Sequence, residues 1–250
     1  MHKDVEQAIL FYKGNEKSVT YKLEKNFTFE KNIMTNLRTH IIPVTPFQQN
    51  CTLLFDNEQK VGVLVDPGGD WFRIQEVIRK TGIIVEAIWI THGHFDHVGA
   101  AMQAKEALNV KIIGSHRDDK PVMASVSESA KNYGITDACT CIPDQWLEDG
   151  DSVHFVGHVF HVLHTPGHSP GHVIYFNEKE RFALLGDVLF RGSIGRTDFP
   201  FCSHKELMKS LREKILPLGD DVRFICGHGP DSQLGYERQW NPFLQGLMDE

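Results

Sequence analysis

The sequence predicts one α/β domain with a pseudo-symmetric build, and three observations carry that expectation. Apolar runs of strand length alternate with helix-spaced patterns from residue 39 onward. The alternation restarts near Trp146, so the second half repeats the mixture of strands and helices found in the first. No low-complexity linker separates the halves. At 250 residues, 41% apolar and 24% charged, the chain can form one large domain and has an ordinary globular composition.

Residues 1–36 differ from the rest: Lys, Glu and Asn are frequent and Pro is absent. Val19-Thr20-Tyr21-Lys22-Leu23 and Phe27-Thr28-Phe29 alternate like edge strands, an N-terminal extension ahead of a domain over 37–250. Ile41-Ile42-Pro43-Val44, Cys51-Thr52-Leu53-Leu54-Phe55 and Val61-Gly62-Val63-Leu64-Val65 read as strands, the last closed by the turn Asp66-Pro67-Gly68-Gly69. Phe72, Ile74, Val77 and Ile78 predict a helix over 71–80. A buried strand follows over 83–90, then a helix over 98–108 and a short strand over 110–114. Residues 117–137 are polar and read as helix or loop.

In the second half, residues 153–163 hold two strands around Gly157. His154, His158, His161 and His164 fit solvent-facing or half-buried strand positions there. Residues 173–176 and 182–185 form a hairpin across the turn 177–180. A helix over 203–216 has Ser203 and Glu206 as a capping box and Pro217 as its stop, and a last strand covers 222–226.

The chemistry concentrates in Thr91-His92-Gly93-His94-Phe95-Asp96-His97, on the turn between the 83–90 strand and the next helix. In extended backbone, residues two apart share a side, so His92 and His94 can converge on one ion. Asp96 and His97 can then turn toward a second. Imidazole suits zinc and iron, and a carboxylate completes or bridges such a site. His168, Asp187 and His228 each follow a strand in a Gly-containing turn, in Thr165-Pro166-Gly167-His168, Gly186-Asp187 and Gly227-His228-Gly229. Donors at the ends of several strands can meet at one rim.

The remaining composition narrows the classes. A net charge of −7 argues against a nucleic-acid surface. Five cysteines form no disulfide framework, and Cys139-Thr140-Cys141 reads as an ordinary loop. Free thiols, no span-length apolar run and no signal-peptide pattern together predict a cytoplasmic protein.

These motifs in this order resemble the metallo-β-lactamase-fold hydrolases, and within them the short bacterial form of glyoxalase II (hydroxyacylglutathione hydrolase). Supporting stretches are Asn50-Cys51, Asp66-Pro67-Gly68-Gly69, Gly195-Arg196-Thr197-Asp198-Phe199-Pro200, Glu237-Arg238 and Asn241-Pro242-Phe243-Leu244. The resemblance implies an αββα sandwich, two central mixed sheets flanked by helices, with two divalent ions at one edge, zinc by default and iron or manganese as alternatives. It implies His92, His94 and His168 as ligands of one ion, Asp96, His97 and His228 as ligands of the other, and Asp187 as the bridge, with Asp96 and Asp187 serving catalysis. His172 matches a family histidine that supports the site without ligating. Arg196 lies near a position resembling the glutathione-contacting lysine of glyoxalase II. The longer glyoxalase II proteins carry a C-terminal helical domain with no counterpart here.

The implied reaction is hydrolysis of an acyl-glutathione thioester: S-D-lactoylglutathione to D-lactate and glutathione, by hydroxide held between the ions. A mononuclear iron persulfide dioxygenase of the same fold shares the Gly-Arg-Thr-Asp-Phe run and is the main alternative, beside a hydrolase of another small ester, thioester or lactone. The full second-ion set favours hydrolysis. A β-lactamase is disfavoured because Asp187 fits a bridging carboxylate. The expected partner is a small-molecule thioester, with neither nucleic acid nor membrane.

Overall fold

The computed structural model describes residues 36–247, so the two strands expected before residue 36 lie outside it. The first sheet starts as an antiparallel ribbon of β1 (Leu37–Val44), β2 (Gln49–Asp56) and β3 (Val61–Val65). Helix α1 (Trp71–Thr81) crosses to β4 (Ile84–Ile90), parallel to β3. Helices α2 (Phe95–Val98) and α3 (Ala101–Leu108) cross to β5 (Lys111–Gly114), parallel to β4. Parallel neighbours need such crossovers, whereas the β1–β2 and β2–β3 pairs close with short turns.

After α4 (Lys120–Ala124) and α5 (Val126–Lys131) the second sheet begins. Strands β6 (Ser152–Phe155), β7 (His158–His164), β8 (Val173–Asn177) and β9 (Phe182–Gly186) are antiparallel neighbours. The small hairpin β10 (Leu189–Phe190) and β11 (Ser193–Ile194) leads to α6 (His204–Ser210). Strand β12 (Arg223–Cys226) returns parallel to β9, and β13 (Ser232–Gln233) and α7 (Leu234–Trp240) complete the described chain.

Strand alternation sends side chains to both faces of each sheet. Ile88 and Ile90 of β4 face outward into a core with Trp71 and Ile74 of α1 and Ala101 and Ala104 of α3. Ile174, Phe176, Ala183 and Leu185 of the second sheet face Leu207, Leu211 and Ile215 of the α6 layer. The inner faces meet through Trp89 of β4. Its indole stacks on Tyr175 of β8, with centroids 5.1 Å apart, and meets Phe160 edge-on at 5.4 Å. The Tyr175 hydroxyl donates to the Ile90 carbonyl across the interface at 2.7 Å. The layers are helix, sheet, sheet, helix.

Three local departures from the expected elements have physical causes. The 98–108 helix starts earlier and breaks, because the His94 carbonyl accepts the N–H groups of His97 and Val98 while Ala100 turns its N–H to Pro67. The 203–216 helix is α-helical only to Ser210, then widens to a π turn over Leu211–Ile215 and tightens at Leu216–Leu218, where Pro217 sits. Ser203 caps it by accepting the Glu206 N–H at 3.3 Å, but its own N–H goes to the Gly167 carbonyl rather than into a reciprocal box. The polar 117–137 stretch folds into α4 and α5 and buries Val122, Met123, Val126 and Ala130.

Trp89 is almost fully buried between the sheets. Trp89→Ala is expected to cost about 3–5 kcal/mol, as large core truncations do; urea unfolding measures it, and a loss below about 1 kcal/mol contradicts this packing.

Candidate metal centre

The seven proposed donors, His92, His94, Asp96, His97, His168, Asp187 and His228, all lie past the C-terminal end of a strand, Asp96 and His97 on the short helix α2. The 91–97 turn follows β4 of the first sheet; His168 and His172 lie between β7 and β8, Asp187 follows β9 and His228 follows β12, all of the second sheet. One rim of the sandwich therefore collects donors from both sheets.

His92, His94 and His168 come together first. His92 Nε2 lies 3.1 Å from His94 Nδ1, which lies 2.9 Å from His168 Nε2. The outer ring nitrogens of His92 and His168 are committed elsewhere. His168 Nδ1–H donates to the Arg196 carbonyl at 2.8 Å. His92 Nδ1–H faces Thr91 Oγ1 at 3.0 Å, and that hydroxyl donates in turn to Asp66 Oδ2. These bonds leave the Nε2 lone pairs of His92 and His168 pointing inward, the arrangement by which outer partners orient metal-binding imidazoles.

Asp96, His97 and His228 form the second group. His228 Nε2 is 3.2 Å from Asp96 Oδ2 and 3.4 Å from His97 Nε2. His97 Nδ1–H donates to Asp66 Oδ2 at 3.0 Å, and His228 Nδ1–H to the Phe47 carbonyl at 3.1 Å. In this group both inner ring nitrogens are Nε2.

Asp187 lies between the two groups. Its Oδ2 is 3.4 Å from His168 Nε2 and 3.5 Å from His228 Nε2, and its Oδ1 is 3.4 Å from His97 Nε2. Oδ1 is buried and makes no hydrogen bond among the described residues. A Cβ on Gly227 would fall 2.0 Å from this oxygen, so only glycine leaves room for it. The Asp187 N–H donates to His172 Nε2 at 3.0 Å, which places His172 behind the carboxylate rather than within the donor groups.

Burial and the neighbouring His168 push His94 down to about 3, and burial drives His92 well below the ordinary imidazole value. Burial also opposes charge on His97, but the carboxylates of Asp187, Asp66 and Asp96 outweigh it and hold that imidazole well above its usual value. Burial opposes ionisation of Asp187 too, yet His97, His168 and His228 hold its carboxyl far below the carboxylate range. A neutral His94 carries one N–H, so its Nδ1 can offer a proton to only one of the Nε2 lone pairs of His92 and His168 that face it, and the other repels it unless a cation lies between them. That repulsion, the unpartnered Asp187 oxygen and the mixed imidazole and carboxylate chemistry all fit divalent metal ions.

Arg196 is exposed, paired with Asp198 at 2.8 Å, its guanidinium 4.3 Å from the centre of the Phe199 ring. His154 and His161 are exposed and His158 and His164 half-buried, outside the donor groups. All five cysteines are free, including exposed Cys139 and buried Cys141 of the loop pair. No helix among the described residues is long and apolar enough to cross a membrane.

Sequence reasoning missed three supporting residues. In the sequence Asp66 stands in a turn and in a stretch shared with the family, with no role of its own, yet its carboxylate accepts from the Thr91 N–H, the Thr91 hydroxyl and His97. Asn50 binds the carbonyls of Cys226 and Gly229 with its amide, fixing the His228 turn. Buried Gln49 packs its side-chain amide 3.4 Å from His97 Nδ1, beside the Asp66 bond. An acid just before a Pro-Gly-Gly turn at a strand end was the available signal for Asp66. Asp66→Asn is expected to lower Zn2+ affinity about 10- to 100-fold, as loss of a partner orienting a ligand does; chelator competition measures it, and unchanged affinity contradicts the role.

Residues 44–228 match the family model described as the metallo-beta-lactamase superfamily. The chain is 43% identical over 209 residues to the hydroxyacylglutathione hydrolase GloC of Haemophilus influenzae, covering 83% of this chain and 98% of that protein. The crystal structure of BLEG-1 B3 metallo-beta-lactamase aligns with TM-score 0.78 and 34% identity, covering 84% of this chain and all of that one. The crystal structure of TTHA1623 in a di-iron-bound form aligns with TM-score 0.75 and 38% identity, covering 82% of this chain and all of that one. The chain belongs to the metallo-beta-lactamase superfamily.

Proposed function

We propose that residues 37–250 form a dinuclear metallohydrolase that cleaves acyl-glutathione thioesters, S-D-lactoylglutathione foremost, to a carboxylate and a free thiol. The position of Asp187 between two donor groups, with an unpartnered oxygen, carries the dinuclear part of this reading. The likeness to GloC supports the thioester part. His92, His94 and His168 would hold one ion and Asp96, His97 and His228 the other, with Asp187 placed between the two groups. Zinc is the proposed metal; a relative bound to two irons keeps iron as the alternative. Free thiols fit a reducing cytoplasm.

Bound at this rim, two ions supply a water acidic enough to attack near neutral pH and polarise the thioester carbonyl. The protein does the positioning. Asp96, beside His228, accepts from the attacking water and aims its lone pair at the carbonyl carbon. His172 holds the Asp187 backbone, and Asp66 holds His97, so neither side chain reorients during the reaction. The thiolate leaves without a general acid, because its conjugate thiol is already acidic by the standard of alcohols. Arg196 at the mouth meets a carboxylate of the glutathione moiety.

A β-lactamase reading rests on the likeness to BLEG-1 and is decided in the same assay. Zinc-loaded protein is expected to release thiol from S-D-lactoylglutathione with kcat/KM above about 10⁴ M⁻¹s⁻¹, within the ordinary enzyme range. Hydrolysis of a β-lactam without thioester cleavage overturns the substrate assignment. Asp187→Ala is expected to lose bound metal and at least about 100-fold in rate together; a fully metallated, fully active variant sinks the bridge. Arg196→Ala is expected to raise KM about tenfold with kcat within about twofold, the pattern of lost uniform binding. A fall in kcat with KM unchanged excludes that role.

A further inference from the structure

Asp119 is a fully buried carboxylate outside both donor groups. It lies between β5 and α4, where the sequence offered no chemical signal. Four donors converge on it from three segments. Its Oδ2 accepts from the Gly93 N–H at 2.7 Å, Ser169 Oγ at 3.0 Å and Ser115 Oγ at 3.2 Å, and its Oδ1 accepts from the Gly171 N–H at 2.6 Å. Gly93 stands between His92 and His94; Ser169 directly follows His168; Gly171 directly precedes His172.

The packing around these bonds is equally tight. A Cβ on Gly93 would lie 2.8 Å from Met123 Cγ and 3.2 Å from the Met123 nitrogen. A Cβ on Gly171 would lie 2.4 Å from the Asp119 nitrogen and 2.5 Å from the His116 carbonyl. Both loops approach the 116–123 segment so closely that only glycine fits at the contact. Burial pushes the Asp119 carboxyl up to about 6, and the four donors pull against that rise. A buried acid is tolerated only where such donors compensate it.

We propose that Asp119 is a positioning residue that ties the His92–His94 turn of the first sheet to the His168 loop of the second, setting the affinity and geometry of the first ion. It touches neither the ion nor substrate. It acts through the backbone of Gly93 and the loop after His168, whose imidazoles must meet within hydrogen-bond distance although they come from different sheets. The inference rests on the reading that these three histidines hold a metal, not on the substrate.

Asp119→Asn is the informative change. The amide has the shape of the carboxylate but only one accepting oxygen, so its NH2 must face at least one donor. Full-length metal-free protein is titrated with Co2+, whose visible absorption reports the geometry of each site. The expected result is an affinity about 10- to 100-fold weaker at the His92–His94–His168 site with an altered spectrum, and a His97–His228 site within about threefold of normal. Ser115→Ala and Ser169→Ala serve as a matched pair, because each removes one donor to the same oxygen but only Ser169 adjoins a ligand. Ser169→Ala is expected to weaken the first site severalfold while Ser115→Ala leaves it unchanged. Normal Co2+ affinity and spectrum in Asp119→Asn overturn the proposal, as do equal losses in the two serine variants. If Asp119→Asn fails to fold, the serine pair alone decides. A wild-type chain that binds two ions but spares the thioester refutes the hydrolase assignment and leaves this test intact.

Discussion

Asp187 brings a carboxylate into a space lined by His97, His168 and His228, and one of its oxygens makes no hydrogen bond among the described residues. A buried carboxylate costs several kcal/mol unless positive charge lies beside it, and the imidazoles of His97, His168 and His228 stand around Asp187. The imidazole nitrogens turned inward are the groups able to hold that charge as bound cations. Much of the local structure follows from this constraint. Gly227 is small because the Asp187 oxygen occupies the place of its Cβ. His172 faces the Asp187 backbone, and the outer nitrogens of His97, His168 and His228 are each committed to a fixed oxygen acceptor.

The sandwich makes this convergence possible. Strand ends from two sheets reach one rim only if the sheets keep their relative position, and the Trp89–Tyr175 stack with its hydrogen bond to Ile90 fixes it beneath the centre. Tyr175 bonds the last residue of β4, one position before Thr91 and the histidine turn. Asn50 of β2 adds a second tie by holding the turn after β12. Core packing and site geometry therefore share residues, and loosening the interface is expected to disturb both.

Much of this was legible in the sequence for definite reasons. Period-two and helix-spaced apolar patterns gave the alternation of elements, because burial on one face imposes them. The density of donors in 91–97 and the Gly turns at His168, Asp187 and His228 marked the rim, because strand ends need glycine where donors crowd. Asp66, Gln49 and Asn50 were not legible as supports, since their roles depend on which strand ends the fold brings together. Asp119 was hidden for the same reason: its partners lie 4 to 52 positions away. The break between α2 and α3 was also invisible, because it depends on Ala100 bonding to Pro67 rather than on local propensity.

Metal stoichiometry followed together with thioester cleavage tests the central claim most directly. Metal-free protein is titrated with Zn2+ while thiol release from S-D-lactoylglutathione is followed. Activity is expected to rise until about two ions per chain are bound, the count for a site in which one carboxylate joins two ions. Full activity at one ion per chain, or two bound ions with no cleavage at any loading, contradicts the dinuclear thioester hydrolase.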